Sequence, residues 1–180
     1  MPLGIVVERR ASIHAWADDI WMPVTVVAGA PMGADWSLMV SGTGWDRYLA
    51  ATLLLELHHK ETDDYIFNLM SKTPTLYVVL RQTGEEDKKD ENGKTIPVRA
   101  HLVTASPNEA EAHLESDEEI VEKVTMPPDV LIWVEAFIDR HHIDEPFIKR
   151  RKTKIKVEDH LFGKEPIFST RRTGPSGSKP

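Results

Sequence analysis

An α+β fold is what the sequence predicts: a mainly antiparallel β-sheet or small barrel of about seven or eight strands, with two helices late in the chain. Short apolar or alternating runs, separated by turn residues, recur from residue 3 to residue 105. Proline and capping signals then mark two helices. The length of 180 residues suits one domain with a substantial core, or one domain with a tail.

Most of the predicted elements are strands, and as far as residue 105 no helix is favoured over a strand. The run LGIVVE at residues 3–8 is typical of a buried strand, and TLYVVL at 75–80 is the strongest strand pattern. Residues 48–58 favour a long strand, with a helix as the alternative. Residues 62–70 place Tyr65, Phe67 and Leu69 on one face of a strand. The other predicted strands are 21–28, 36–40, 98–105 and 120–124.

The stretch from residue 99 to residue 142 combines both kinds of element. Ser106, Pro107 and Glu109 have the spacing of a capping box with proline at the first helical position, which predicts a short helix ending near residue 116. After a strand, two prolines at 127 and 128 precede a second helix. Its apolar residues recur at spacings of three and four, which predicts a helix that covers a sheet: Val130, Val134, Phe137, Ile138 and His141.

Charge divides the chain into an acidic body and a basic tail. The net charge is −7, but residues 148–180 hold ten Lys or Arg against three acids, or +7, which leaves −14 for the first 147 residues. We therefore expect a single globular domain at 1–147 and a basic, flexible tail at 148–180. The charged segment 84–93, GEEDKKDENG, predicts an exposed flexible hairpin loop.

Composition excludes several classes of protein. There are no cysteines, which excludes disulfides, thiolate metal sites and cysteine nucleophiles. No apolar run approaches the roughly 20 residues of a membrane span, and the N-terminal residues lack a signal-peptide layout. A cytoplasmic protein is the expectation.

No catalytic or metal-binding motif of the usual kinds is evident. Adjacent histidines on a strand point to opposite faces, so His58 and His59 are not expected to chelate one ion. The pair His141 and His142 lacks HExxH spacing, and the Ser-Gly-Thr-Gly segment at 41–44 lacks the Walker lysine. The acids Asp117, Glu118 and Glu119 could hold a cation, but a solvated loop is favoured because a run of charges is usually solvated. We therefore expect no catalytic residue, metal or cofactor.

Tryptophan is frequent for a chain of this length, with five residues. These side chains either belong to the core or line a groove or partner surface, and the core is favoured because exposed aromatic clusters are rare without a partner. The five are Trp16, Trp21, Trp36, Trp45 and Trp133.

A basic run after the predicted last helix is the most function-like feature, although a solvated tail is the alternative. Docking on an acidic protein surface, or on anionic lipid or RNA, would use six cations: Lys149, Arg150, Arg151, Lys152, Lys154 and Lys156. A rival hypothesis is a small-ligand binder or enzyme with a pocket at a barrel mouth. Its lining would comprise His58, Tyr65, Arg81 and His101.

Several segments together resemble a known family. They include GIVVERR, Trp21-Met-Pro-Val, LELHHKET, YVVLR, VTASPNEA and VEKVTMP, and they cover about residues 3–152. The chain resembles a proteobacterial domain-of-unknown-function family whose members are often encoded beside genes for molybdenum formate dehydrogenase. The resemblance carries no catalytic residues. It implies an accessory protein of formate metabolism that assists assembly or maturation.

The function hypothesis is accordingly a non-catalytic accessory or binding protein, rather than an enzyme. Its partner would be a larger protein, such as formate dehydrogenase or its maturation machinery. The hypothesis depends on the missing catalytic motif, the charge division and the family resemblance.

Overall fold

Antiparallel strands dominate the structure, which confirms the predicted fold class. The computed structural model describes residues 1–14, 16–33, 35–83, 88, 89, 93 and 95–143. The strands are β1 (Pro2–Arg10), β2 (Ile20–Ala28), β3 (Asp35–Gly42), β4 (Trp45–Leu54), β5 (Thr75–Gln82), β6 (Lys88–Lys89), β7 (Thr95–Ile96), β8 (Val98–Thr104) and β9 (Glu119–Thr125). The helices are α1 (Thr62–Leu69), α2 (Pro107–Glu111) and α3 (Pro128–His141), and a 3-10 turn at His59–Glu61 precedes α1.

The strands form two main sheets and one small hairpin. The first sheet has the order β2-β1-β4-β3 and the second has the order β8-β5-β9, while β6 pairs with β7. Every pairing is antiparallel. Within the described residues these sheets stay open, so the barrel alternative is not realised.

Strand β1 lies at the centre of the first sheet and is buried on both faces. Every residue from Leu3 to Arg9 is buried. The near-continuous apolar run predicts burial as far as Glu8. Arg9 lies beyond the predicted strand, and its buried guanidinium pairs with Asp19 and Asp46. Gly4 permits close packing there, because a Cβ at this position would lie 2.7 Å from the Cβ of Ala30 and 2.8 Å from a methyl of Leu49.

One apolar core is shared by both sheets and by α3. Strand β2 approaches β9, and β4 approaches β8. This shared core explains why neither sheet exposes its full inner face to water. Its central side chains are Leu3, Ile5 and Val7 from β1, Leu76, Val78 and Leu80 from β5, and Val130 and Val134 from α3.

The tryptophans divide between core and surface. Trp21 and Trp36 are buried with ring centroids 5.6 Å apart in an edge-to-face contact, as the core interpretation predicts. Trp36 has a φ of +48°, an uncommon conformation for a bulky residue, held where its indole packs against Trp21 and Tyr48. For Trp16 the core interpretation is wrong, because its side chain is 85% exposed.

Helix α1 is the main correction to the predicted elements. Residues 62–69 form an α-helix, not a strand, and β4 ends at Leu54 instead of continuing to residue 58. The apparent alternation of Tyr65, Phe67 and Leu69 was misleading, since Phe67 is exposed. The residues of α1 that are buried are Thr62, Tyr65 and Asn68, whose spacing of three belongs to a helix.

The two helices predicted late in the chain are both present, but α2 ends at Glu111 and not near residue 116. At α2 the Ser106 hydroxyl accepts a hydrogen bond of 3.1 Å from the Glu109 N–H, as a capping residue should. The reciprocal half of the box differs, because the Ser106 N–H donates to the Thr104 hydroxyl at 3.0 Å. In α3, Val130 and Val134 are buried on the predicted face.

Candidate functional site

The four residues predicted to line a pocket come together as two separate pairs. The His58 N–H donates to the Tyr65 hydroxyl at 3.0 Å, beside the start of α1. On β5 and β8, a guanidinium nitrogen of Arg81 lies 3.0 Å from Nε2 of His101. Among the described residues, no hydrogen bond, ion pair or ring contact joins one pair to the other. A concavity of about 560 Å³ bordered by Asp18, Trp21, Gln82 and Val98 is lined by none of the four.

Tyr65 is part of a local hydrogen-bonded turn. Its hydroxyl donates to a carboxylate oxygen of Glu61 at 2.8 Å while accepting from the His58 backbone. Burial raises the pKa of the Tyr65 phenol above its ordinary value. This tyrosine is therefore held as a neutral structural group between the 3-10 turn and α1.

A denser group of polar side chains lies where β5, β8, β9 and the residues after α2 meet. We call it the Arg81 cluster, and its members are Arg81, His101, His113 and Glu119. Arg81 and Glu119 are directly opposite in the β5–β9 register. The Nε of Arg81 donates to Oε1 of Glu119 at 2.8 Å, and a second guanidinium nitrogen donates to the same oxygen.

A register shift brings His101 to this cluster. Leu80 pairs with Ala100 and Val79 pairs with Leu102, so His101 is the extra residue of β8 at a bulge. Bulges commonly redirect one side chain relative to the strict alternation of a strand. His113 follows α2, and its Nδ1 lies 2.7 Å from Oε2 of Glu119.

The electrostatics of the cluster determine its protonation. The Glu119 side chain is only 4% exposed, and hydrogen bonds from Arg81, then from His113, hold the pKa of that carboxyl below its ordinary value of 4.5. Partial desolvation of the ring, then the charge of Arg81, lowers the pKa of His101. Near neutral pH, Glu119 is therefore an anion and His101 is neutral, so Nε2 of His101 accepts from the guanidinium.

Two imidazoles and one carboxylate are also a ligand set that suits zinc and other transition ions. The candidate ligand atoms of His101, His113 and Glu119 all lie within 4.8 Å of one another. Sequence reasoning did not single out His113 and treated Glu119 as part of a solvated charged loop. The pairing of Glu119 with Arg81 in adjacent strands would have indicated this cluster, but it is known only when the register of β5 with β9 is known.

The other histidine pairs have structural environments. His59 lies in the 3-10 turn, and its ring centroid is 4.1 Å from that of His141 and 5.5 Å from that of Phe137. Burial, followed by the charge of His59, lowers the pKa of His141. These contacts pack the turn before α1 against the end of α3.

An apolar edge is exposed on the first sheet. Within the described residues β3 pairs only with β4, which leaves its other edge open. Three consecutive apolar residues on this strand are exposed, Leu38 by 36%, Met39 by 54% and Val40 by 45%. We call these three residues the β3 edge. Met39 is the extra residue at a bulge in the β3–β4 pairing.

Several predictions concern residues outside the described part of the chain. They are the domain boundary at residue 147, most of the 84–93 loop, and the six cations of the predicted partner-binding run: Lys149, Arg150, Arg151, Lys152, Lys154 and Lys156. Those predictions stay predictions. In the described part of the chain, the helices are all too short or too polar to span a membrane.

Comparisons with known proteins place the chain in a family. A search of curated proteins and a search of solved structures each gave no match. Residues 2–151 match the family described as "Protein of unknown function (DUF3305)", which agrees with the extent of the resemblance found in the sequence. The chain belongs to the DUF3305 family.

Proposed function

We propose that this protein is a non-catalytic accessory protein that binds a larger protein partner through the β3 edge. The observation that carries the proposal is the run of three exposed apolar side chains on a strand whose outer edge is open in the described structure. An open strand edge offers backbone N–H and C=O groups that an extended segment of a partner can pair with. Neighbouring apolar side chains add burial and selectivity.

The lack of charged side chains at the β3 edge favours an extended apolar segment of the partner as the element that binds there. The three residues of the β3 edge are uncharged, and β3 contains no lysine or proline. Lysine, proline and inward-pointing charges are the residues by which edge strands commonly avoid pairing with other chains. Strand addition at Leu38, Met39 and Val40 would therefore bury apolar surface without desolvating a charge.

The basic run is proposed as a second contact that guides encounter. Its six cations, Lys149, Arg150, Arg151, Lys152, Lys154 and Lys156, fall within eight residues of the sequence. Such a density of charge accelerates association with an acidic surface and is weakened by salt. The β3 edge would then supply the contact that is insensitive to salt.

Molybdenum formate dehydrogenase, or a protein that matures it, is the proposed partner. Support comes from the family resemblance, since members of such families are often encoded beside formate dehydrogenase genes. An accessory role in assembly would require binding but no chemistry by this chain, which agrees with a sequence that carries no recognisable catalytic motif.

A pull-down with the full-length chain tests the proposal. The wild type and a Met39→Lys/Val40→Lys variant would be compared as bait in lysate of the native host, and captured proteins identified by mass spectrometry. The control is Met70→Lys/Ile132→Lys, which adds the same two charges at exposed apolar residues outside β3. We expect a formate dehydrogenase subunit or maturation protein with the wild type and the control, and loss of it with the edge variant.

Purified components complete the test. Binding of the captured partner would be measured at low and high salt with the wild type and with a variant that neutralises the six cations. The edge variant should lower affinity at both salt concentrations, and the neutralised variant mainly at low salt. Identical capture by the wild type and the edge variant contradicts the proposal.

A further inference from the structure

We propose that His101, His113 and Glu119 form a binding site for a divalent transition-metal ion, with Zn²⁺ as the best fit, and that Arg81 occupies this site until the ion displaces it. The inference is independent of the partner and uses residues of the second sheet and of the segment after α2, not residues of β3. It rests on side chains from β8, β9 and the residues after α2, which the fold brings to one place.

The distances are close to those of a metal centre. The three ligand atoms lie within 4.8 Å of one another. Zinc bonds nitrogen and oxygen ligands at about 2.0–2.2 Å in a tetrahedral arrangement, so two ligand atoms of one ion lie roughly 3.3–3.6 Å apart. The ligand atoms must therefore approach one another by up to about 1.5 Å, and we expect rotation of the three side chains to supply this movement.

The Arg81 guanidinium occupies the position where the ion would bind. The same guanidinium nitrogen contacts both Glu119 and Nε2 of His101, so one positively charged N–H group already lies between two of the three ligands. A buried carboxylate requires a positive partner, and either an arginine or a metal ion can supply it. The Arg81 side chain is 33% exposed and its contact with His101 lies at the surface, which gives the guanidinium room to turn towards solvent.

The ligand types suit a zinc ion. Two imidazole nitrogens and one carboxylate oxygen are common zinc ligands, and binding releases any proton that they carry. Three protein ligands would leave a fourth coordination position for water or for a bound molecule, as in zinc sites of the His₂Glu type.

Titration of the tag-free, chelator-stripped full chain with Zn²⁺ alone tests the site. Calorimetry should give one tight ion per chain, and circular dichroism checks that each variant is folded. His101→Ala is the principal variant because His101 is exposed and its loss should leave the fold intact. We expect His101→Ala and Glu119→Gln to weaken Zn²⁺ binding by at least about tenfold. The control His14→Ala, an exposed histidine of the loop after β1, should bind as the wild type does.

Arg81→Gln distinguishes a metal site from a purely structural ion pair. Because the ion must displace the guanidinium, removal of the guanidinium should tighten Zn²⁺ binding by about tenfold. A wild-type chain that binds no Zn²⁺ overturns the proposal, whatever Arg81→Gln does. Equal weakening by His14→Ala and His101→Ala also overturns it, because the ion would then be bound by surface histidines in general.

Discussion

Asn68 and Ala105 are joined by a hydrogen bond of 2.8 Å from the side-chain amide of the asparagine to the backbone carbonyl oxygen of the alanine. The same amide nitrogen donates to the Thr75 carbonyl at 2.7 Å, and the amide oxygen accepts from the Thr75 N–H at 3.1 Å. Asn68 is buried, so these bonds replace water for three backbone groups. One side chain on α1 therefore connects the start of β5 with the end of β8.

Replacement of Asn68 by alanine should be strongly destabilising. The change removes three hydrogen bonds, one to the buried carbonyl of Ala105 and two to half-buried backbone groups of Thr75, so we expect the free energy of unfolding to fall by about 3 kcal/mol. Urea unfolding measures it. The control is Asn108→Ala, whose exposed side chain donates to Asp64 at 2.7 Å; this change should alter stability by less than about 1 kcal/mol. Equal losses from both variants would contradict the role given to Asn68.

Two tryptophans should differ widely in their contribution to stability. Trp36→Ala removes a buried indole that contacts Trp21 and Tyr48, and we expect a loss of about 3–5 kcal/mol. Trp16→Ala removes a side chain that is 85% exposed, so the expected change is within about 0.5 kcal/mol. Thermal or urea unfolding compares them, and a large loss from Trp16→Ala would show that its indole is covered in solution.

Glu8 should make stability depend on pH in the acid range. Its side chain, 4% exposed, accepts hydrogen bonds from Arg10 at 2.6 Å and from Arg47 at 2.7 Å. These bonds, that from Arg10 first, lower the pKa of Glu8 below its ordinary value of 4.5. A pKa lowered by folding stabilises the native state above the unfolded pKa and loses that contribution as pH falls through the folded pKa.

Glu8→Gln tests this dependence. Near pH 7 the free energy of unfolding of the variant should be about 2 kcal/mol lower than that of the wild type, because the variant loses charge-assisted hydrogen bonds. Below pH 4.5 the difference should shrink as the wild-type carboxyl takes up its proton. Urea unfolding across this range measures it. A difference that stays constant with pH would mean that the carboxylate charge is not what stabilises the site.

Ser106 should contribute more than a helix cap alone. Its hydroxyl accepts from the Glu109 N–H and donates to Asp64 at 2.7 Å, which connects α2 to α1. We expect Ser106→Ala to lower the free energy of unfolding by about 2 kcal/mol, at the upper end for a capping residue. Ser116→Ala is the control, because the Ser116 hydroxyl accepts a long, exposed hydrogen bond of 3.4 Å from the Glu118 N–H two residues away. A loss no larger than that of the control would remove the proposed connection.

The candidate sites were predictable only in part. Arg81 and His101 were selected from the sequence and do contact each other, but they were grouped with His58 and Tyr65, which lie in the turn before α1 and in α1. His113 is not indicated by the sequence, and Glu119 is indicated only as one of three acids that could hold a cation. Their contact with Arg81 depends on the register of β5 with β9 and on a bulge in β8, and neither can be derived from residue types along one strand.

The sequence by itself determined the elements whose signals are local. The apolar run of β1, the Ser106–Pro107 start of α2 and the three-and-four spacing of α3 each act within a few residues, so propensity and periodicity suffice. Tertiary structure decided that residues 62–69 form a helix, because the segment is compatible with both periods until Asn68 finds partners in β5 and after β8. It also assembled the Arg81 cluster, since only the sheet register brings Arg81 opposite a glutamate 38 residues away.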